Sequence, residues 1–310
     1  MSNKPHKPTV DEPPNWWQHP AQTWIDLRAF FSDIKLTNPA NWQQLTRGLS
    51  NFNYKLSLTS DDRRQFYFVQ VINSNNLALL PQGNNNRATQ SVLDYLTNRS
   101  SIKPWLIDCY FSTSSIRVFE WIDFEPLTID RFNPEIISST NQAQAFFTYD
   151  TFCSSVSDFM ASLHNMGASN EQQQLVTIDI QQHLRDYHQL AMERAPDHSE
   201  QIKQLLRQAL LIAEPFIPSK LCHNDLNLNN LLWINAQTPL KVIDWEYACY
   251  SDPLMDLAGF LLNFQFNHQQ QQNFIEQYSN KTGTVIHPDS LKNMKQLCQI
   301  ISKLWQFCSN

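Results

Sequence analysis

The chain has 310 residues, 42% of them hydrophobic, and a formal charge of -6. That length allows one two-lobed domain or two small ones with a substantial core, and the acidic balance speaks against a nucleic-acid partner while suiting a cationic substrate. No apolar run reaches the roughly 18 residues that span a bilayer, so no membrane partner is expected. The first residues, Met1 to Pro14, are polar and proline-rich without an apolar signal core. Six scattered cysteines with no C-x-x-C pair read as reduced core thiols of a cytoplasmic protein.

In chain order, residues 1–40 form an N-terminal extension, partly flexible, whose Trp16-Trp17 pair is expected to pack back on the body. Residues 41–118 are β-rich with one helix. Asn53 to Leu58 and Gln65 to Ile72 are strand-like around the turn signal Ser60-Asp61-Asp62. A helix from about Arg87 to Asn98 carries Ala88, Val92 and Leu96 at every fourth position, and Arg117 to Ile122 returns to strand.

Residues 119–310 turn helical. Phe152, Val156, Phe159, Met160 and Leu163 form one apolar face, with Gly167 as a stop signal. Ile180, Leu184, Tyr187 and Ala191 form a second, and Ile202, Leu205, Leu206 and Ala209 a third. Further helices are expected at Leu254 to Phe264, at Asn273 to Tyr278, and along Leu291, Met294, Cys298, Ile301 and Trp305. Between them, Leu231 to Ile234 and Leu240 to Asp244 read as two short strands around a turn, Asn235 to Pro239.

That hairpin carries the chemistry. It brings Asp244 back beside the loop that runs from His223-Asn224-Asp225 to Asn230. Two acids and an amide in this arrangement suit the transfer of phosphate from a nucleotide to a hydroxyl. An alcohol becomes more acidic as its oxygen bonds to phosphorus, so a nearby carboxylate can take its proton, and Asp225 is the candidate base. Magnesium prefers oxygen ligands and takes one or two carboxylates besides phosphates and waters, and Asn230 and Asp244 offer those oxygens. A small β-rich lobe, a larger helical lobe and chemistry in a hairpin between helices outline an α+β, protein-kinase-like two-lobed fold.

The wording His223-Asn224-Asp225-x-x-x-x-Asn230, then Lys241-Val242-Ile243-Asp244-Trp245-Glu246-Tyr247-Ala248 and Asp252-Pro253-x-x-Asp256-Leu257-Ala258, resembles the aminoglycoside phosphotransferase and choline kinase superfamily. It is most similar to bacterial choline/ethanolamine kinases and thiamine kinases. The resemblance runs from about Gln44 to the C-terminus and implies ATP and Mg²⁺ as cofactors, Asp225 as catalytic base, and Asn230 and Asp244 as metal ligands. It makes His223 a brace for the loop, with direct catalysis as the alternative. Glu246 is either a residue near the metal or a surface residue, and Asp256 an anchor for the loop.

The resemblance also assigns a nucleotide side, with departures. Arg47-Gly48-Leu49-Ser50-Asn51 resembles a phosphate-covering turn in which Gly48, Ser50 and Asn51 contact ATP, although Arg47 stands where relatives have glycine. Glu120, Trp121 and Ile122 resemble the hinge that receives adenine. Relatives carry Lys or Arg near the end of the third strand, paired with Glu on the next helix; this chain has Gln70 and Gln90. Two amides can hydrogen-bond each other, so the double change is self-consistent. It still removes a cation from the phosphates, for which Arg47, Arg63, Arg64 and Arg87 are the candidate replacements. A protein kinase is disfavoured, since no Asp-Phe-Gly follows the catalytic loop.

The acceptor is therefore expected to be a small cationic alcohol of the choline, ethanolamine or thiamine type. Trp233, Trp245, Tyr247 and Trp305 are available as aromatic faces for it, and Trp305 lies on a helix expected to line the substrate cleft. Two alternatives follow from the same residues. One is a kinase-fold binding protein with weak or no turnover, motivated by Gln70 and Gln90. The other is an antibiotic kinase of the aminoglycoside type.

Overall fold

A computed structural model describes residues 13–31, 34–45, 51–60, 63–73, 86–124, 127, 149–166, 175–235, 240–264 and 266–309. These fall into two compact units, one of residues 1–76 and 107–123 and one of residues 77–106 and 124–310. The expected boundary at residue 118 falls inside a strand of the first unit, and the helix expected at residues 87–98 belongs to the second.

The first unit is built on one antiparallel sheet in the order β1-β2-β3-β5-β4. Its strands are β1 (Trp42–Leu45), β2 (Phe52–Ser60), β3 (Arg63–Val71), β4 (Cys109–Ser112) and β5 (Ile116–Glu120). The period of two divides each strand between two faces. Leu56, Leu58, Val69, Val71, Ile116 and Val118 point to one face, where they form a core with Trp17, Trp24, Leu27, Phe31 and Leu36. Those last five come from the N-terminal extension and its helix α1 (Ala21–Phe30), which the sequence pattern did not reveal. The Trp17 ring centre lies 5.5 Å from that of Trp24, tilted, and 5.4 Å from that of Trp42, edge to face, so the expected packing of the tryptophan pair is observed. Asp26 in α1 accepts a hydrogen bond from Thr113 Oγ1 at 2.7 Å and another from Ser115 Oγ, which ties the helix to the β4–β5 turn.

The other face of this sheet is polar at one end and aromatic in the middle. Register sets Asn53, Gln70 and Arg117 side by side across β2, β3 and β5, and sets Lys55, Phe68 and Phe119 in the neighbouring row. Phe68 and Phe119 stack at 5.7 Å. Lys55 Nζ lies 4.3 Å from the Phe66 ring centre and 4.0 Å from that of Trp121.

The second unit is mainly helical. Its helices are α2 (Asn86–Thr97), α3 (Tyr149–His164), α4 (Ile180–Arg194), α5 (Ser199–Ile212), α6 (Leu254–Asn263), α7 (His268–Thr282) and α8 (Pro288–Ser309). The apolar stripes read from the sequence are the buried faces: Phe152, Val156, Phe159 and Met160 on α3 are fully buried, as are Leu184 and Ala191 on α4. Helix α7 starts earlier than its apolar residues indicate. Asn267 and Gln270 close a reciprocal capping box that draws the glutamine run into the helix, and Gly283, with φ of 71°, ends it. Two short pairs complete the unit: β6 (Lys220–Cys222) with β9 (Cys249–Ser251), and β7 (Leu231–Leu232) with β8 (Lys241–Val242). All six cysteines are free thiols. Among the described residues no helix is long and apolar enough to cross a membrane.

Two stability predictions follow from this packing. Trp24 is fully buried at the centre of the aromatic core, so Trp24→Ala should cost about 3–5 kcal/mol, read as a lower urea midpoint by circular dichroism. An unchanged midpoint would show that the extension contributes nothing to the first unit. His183, buried on α4 with its ring 4.3 Å from that of Tyr187, has its pKa lowered by burial from 6.5 to about 4, against the opposing charge of Asp186. Between those values the unfolded chain takes up a proton that the folded one refuses. His183 therefore adds stability that is full above pH 6.5 and fades as pH falls towards 4. His183→Gln should flatten the fall of the urea midpoint over that window, and an unaltered slope would refute the assignment.

Candidate active site

The catalytic-loop candidates all lie in the second unit, on the segment that joins β6 to β9. Its entry is fixed by Asp256, near the start of α6. Asp256 Oδ2 accepts from the His223 backbone N–H at 2.9 Å, and Oδ1 accepts from that of Asn224 at 2.6 Å. His164, at the end of α3, bonds Asp256 through Nε2 at 3.1 Å and the Tyr278 hydroxyl through Nδ1 at 2.8 Å. Burial alone would raise the pKa of Asp256, but the hydrogen bond and charge of His164, with those of His223, hold the carboxyl below its usual range. His164, Cys222 and Asp256 come close enough to suggest a metal site. However, both carboxylate oxygens and both ring nitrogens are engaged in hydrogen bonds, and burial keeps Cys222 a thiol. The cluster is an anchor.

His223 is fully buried against Trp245, with ring centres 4.7 Å apart. Its Nε2 meets the carbonyl of Ile243 at 2.9 Å, so Nε2 carries the proton, and Nδ1 accepts from the Asp225 N–H at 3.3 Å. Burial lowers its pKa against the pull of Asp256 and Asp225, which favours the neutral ring these bonds require. These bonds join the start of the loop to the hairpin through the His223 ring.

Asp225 is half-buried, with each carboxylate oxygen held from one side. Asn227 Nδ2 donates to Oδ1 at 3.0 Å, and Asn230 Nδ2 donates to Oδ2 at 2.8 Å and to the Asp225 carbonyl at 2.9 Å. With its Nδ2 committed to Asp225, the buried Asn230 has Oδ1 as the atom that can face a cation. The Ile243 N–H, one residue before Asp244, donates to the Asn230 carbonyl at 3.0 Å. Asn224 (φ 63°) and Asp244 (φ 67°) are the two non-glycine residues with positive φ among those described. Asn and Asp tolerate this left-handed region best, and such strain concentrates at working sites. One amide oxygen and one carboxylate, both hard donors, fit Mg²⁺.

The remaining candidates fall on both units. Glu246, in the 3-10 turn Trp245–Tyr247, is 5% exposed, which rules out the solvent-surface alternative. Trp245 and Trp233 are core residues: Trp245 Nε1 donates to the Val242 carbonyl and its ring meets Phe159, while Trp233 packs on Phe152. Trp305 is half-buried and donates to the Tyr247 hydroxyl at 3.2 Å. Tyr247 also bonds Tyr187, and burial followed by the charge of Glu246 pushes the Tyr247 pKa well up, with Asp225 and Asp244 adding to the shift. A surface depression of about 700 Å³ lined by Tyr95, Asp158 and Lys281 contains none of these residues.

On the first unit, Gly48 and Ser50 lie outside the described residues. Asn51 Oδ1 accepts from the Asn73 N–H at 3.0 Å, joining the start of β2 to the end of β3. The Glu120 N–H donates to the Asp108 carbonyl, Trp121 Nε1 donates to Asp123, and Ile122 is half-buried beyond the end of β5. Gln70 and Gln90 fall in different units, and each makes a bond inside its own. Gln70 Oε1 accepts from Arg117 Nη1 at 3.0 Å, and Gln90 Nε2 donates to Asp94 one helical turn away at 2.7 Å. Sequence reasoning missed Asn227, His164, Tyr187 and Arg117. Of these, only Asn227, two residues past the candidate base, lay within the motif already singled out.

Known proteins are similar to this chain in sequence and in fold. LicA of Haemophilus influenzae (strain ATCC 51907 / DSM 11121 / KW20 / Rd) is 32% identical over 89 residues, 29% of this chain and 31% of its own. Probable choline kinase 2 of Arabidopsis thaliana is 29% identical over 62 residues, 20% of this chain and 18% of its own. The chain thus matches less than a third of the length of these curated relatives. The structure of choline kinase LicA from Streptococcus pneumoniae superposes with a TM-score of 0.64 at 20% identity, covering 86% of this chain and 85% of that one. The streptomycin–ATP–APH(2")-IIa ternary complex gives 0.61 at 15% identity, covering 94% and 91%. At such identities these structures establish a shared fold. A model of the phosphotransferase enzyme family APH matches residues 107–293, more than half of the chain and all of the loop from His223 to Glu246. The chain belongs to the APH phosphotransferase enzyme family.

Proposed function

We propose that this chain transfers the γ-phosphate of ATP to the hydroxyl of a small cationic alcohol of the choline, ethanolamine or thiamine type. The observation that carries the reading is the setting of Asp225. Each of its oxygens accepts one amide N–H, from Asn227 and from Asn230, and keeps lone-pair capacity for a third partner. A carboxylate fixed in this way can accept the alcohol proton as the oxygen attacks phosphorus, an assistance typically worth ~10²–10⁴ in rate.

Asn230 and Asp244 are the residues that would hold Mg²⁺. When bound, the ion neutralises charge that develops on the phosphoryl oxygens. The protein's own part is positional. Asp256 and His223 fix the loop from behind, and Asn227 and Asn230 aim the carboxylate, so little reorganisation is left for the reacting complex.

The cationic acceptor is supported by the field around the base. The carboxylates of Glu246, Asp225 and Asp244 all act on Tyr247, which lies against Tyr187 and Trp305. Negative potential beside aromatic rings is the setting that attracts an ammonium group. One curated relative, a probable choline kinase, supports the same acceptor class. Gln70, where a cation was expected, favours a second reading: a nucleotide-binding protein without turnover.

A coupled ADP-release assay with choline, ethanolamine, thiamine and an aminoglycoside tests both. Turnover is expected with one of the three small cationic alcohols. Asp225→Asn should lower kcat by about 10²–10⁴ while nucleotide binding persists. Nucleotide binding without turnover on any acceptor would favour the binding protein, and turnover on the aminoglycoside alone would overturn the acceptor class.

A further inference from the structure

We infer that Asn224 is a positioning residue: its side-chain amide sets the spacing between the candidate base Asp225 and Tyr247, and so selects the length of the acceptor alcohol. This rests on the kinase reading above. Asn224 immediately precedes the base, and its backbone N–H donates to Asp256 Oδ1 at 2.6 Å. From that fixed point the side chain reaches Tyr247, twenty-three residues further along the chain, where Nδ2 donates to the carbonyl at 3.0 Å. The same Nδ2 donates to Cys249 Sγ at 3.3 Å. Pairing of Cys222 with Cys249 across β6 and β9 brings the two stretches together. The amide then holds the last residue of the 3-10 turn and the first residue of β9 at once.

Chemistry narrows the choice of residue at this position. A φ of 63° suits glycine, asparagine or aspartate. Glycine would adopt it with least strain but would take this donor away from the Tyr247 carbonyl. An ionised aspartate would set a carboxylate oxygen against that carbonyl, acceptor facing acceptor. Asparagine both adopts the conformation and donates. The identity of residue 224 therefore answers to the bond with Tyr247 and not to the turn alone.

What the bond positions is a ring beside the base. The Tyr247 hydroxyl accepts from Trp305 Nε1 at 3.2 Å and is bonded to Tyr187, so rings from α4, the turn and α8 form one group. The charges of Glu246, Asp225 and Asp244 all reach Tyr247. A cationic head held against these rings presents its hydroxyl to Asp225 only if the carbons between them match the distance from ring to base. Asp256 fixes the base end of that distance, and the Asn224 amide fixes the ring end. A misplacement of about 1 Å at the reacting atoms can cost about 10²-fold in rate.

Steady-state kinetics of the full chain provide the test. The acceptor is whichever of choline, ethanolamine and thiamine turns over fastest, compared with its homologue carrying one more methylene before the hydroxyl. The wild type should prefer one length by about 10-fold or more in kcat/KM. Asn224→Gly keeps the left-handed backbone and removes the amide, so it should fold, as thermal melting would confirm. It should lower the length preference about 10-fold and leave the KM for ATP unchanged. A folded N224G that slows both lengths equally, or neither, overturns the inference and leaves the kinase reading standing. A wild type indifferent to length overturns it as well. If N224G does not fold, Asn224→Asp carries the same comparison, since it is close in shape and tolerates the same backbone. Absence of wild-type turnover on all three alcohols would sink the kinase reading and the inference together.

Discussion

The buried carboxylate of Asp256 is the interaction on which the catalytic loop depends. It joins three separate pieces of chain: the end of α3 through His164, the exit of β6 through the N–H groups of His223 and Asn224, and α6, on which it sits. An ionised group at 1% exposure is tolerable only when its oxygens are fully engaged. Here they are, and the requirement works in both directions. The loop cannot leave without stranding a charge, and the charge cannot be removed without freeing two backbone donors. Tyr278 extends the chain of bonds to α7, so helices distant in sequence share one polar contact inside an otherwise apolar unit.

That anchor explains how the left-handed Asn224 is tolerated. Asn224 holds positive φ while its N–H is fixed by Asp256 and its side-chain amide donates to the Tyr247 carbonyl at 3.0 Å. Each bond selects the same backbone conformation, so local strain is over-determined by its surroundings. The consequence at Asp225 is directional. Its carboxylate emerges from a turn that cannot relax, and Asn227 and Asn230 then limit its rotation from either side. Positioning of this kind is the larger share of what a protein can contribute to a displacement at phosphorus.

Legibility in the sequence followed the range of the interactions. The helices of the second unit were readable because one apolar stripe per helix faces one core, and the β7–β8 pair because its strands flank a turn signal in the sequence. Asp225, Asn230 and Asp244 were readable because they sit within twenty residues of one another. Helix α1 was not, since its first turn has no capping side chain or acid and its contacts are with strands far along the chain. His164 was hidden in an apolar stripe, where a histidine reads as one more core residue. Arg117 lay inside a strand whose period places Ile116 and Val118 in the core. Its bond to Gln70, forty-seven residues earlier, is visible only once the register is known.

The neutral state of His223 connects the anchor to the candidate base. Nε2–H donates to the Ile243 carbonyl, and Nδ1 must therefore accept the Asp225 N–H. A second proton would place a donor on Nδ1 facing another donor, the N–H of the candidate base. Burial opposes that protonation even though Asp256 and Asp225 pull the other way, and the balance leaves the ring below its ordinary pKa. Two nearby carboxylates would by themselves invite an imidazolium. The apolar packing of Trp245 against the ring supplies part of the burial that opposes it. An aromatic residue in the catalytic motif thus acts on the base through a proton that the histidine does not take up.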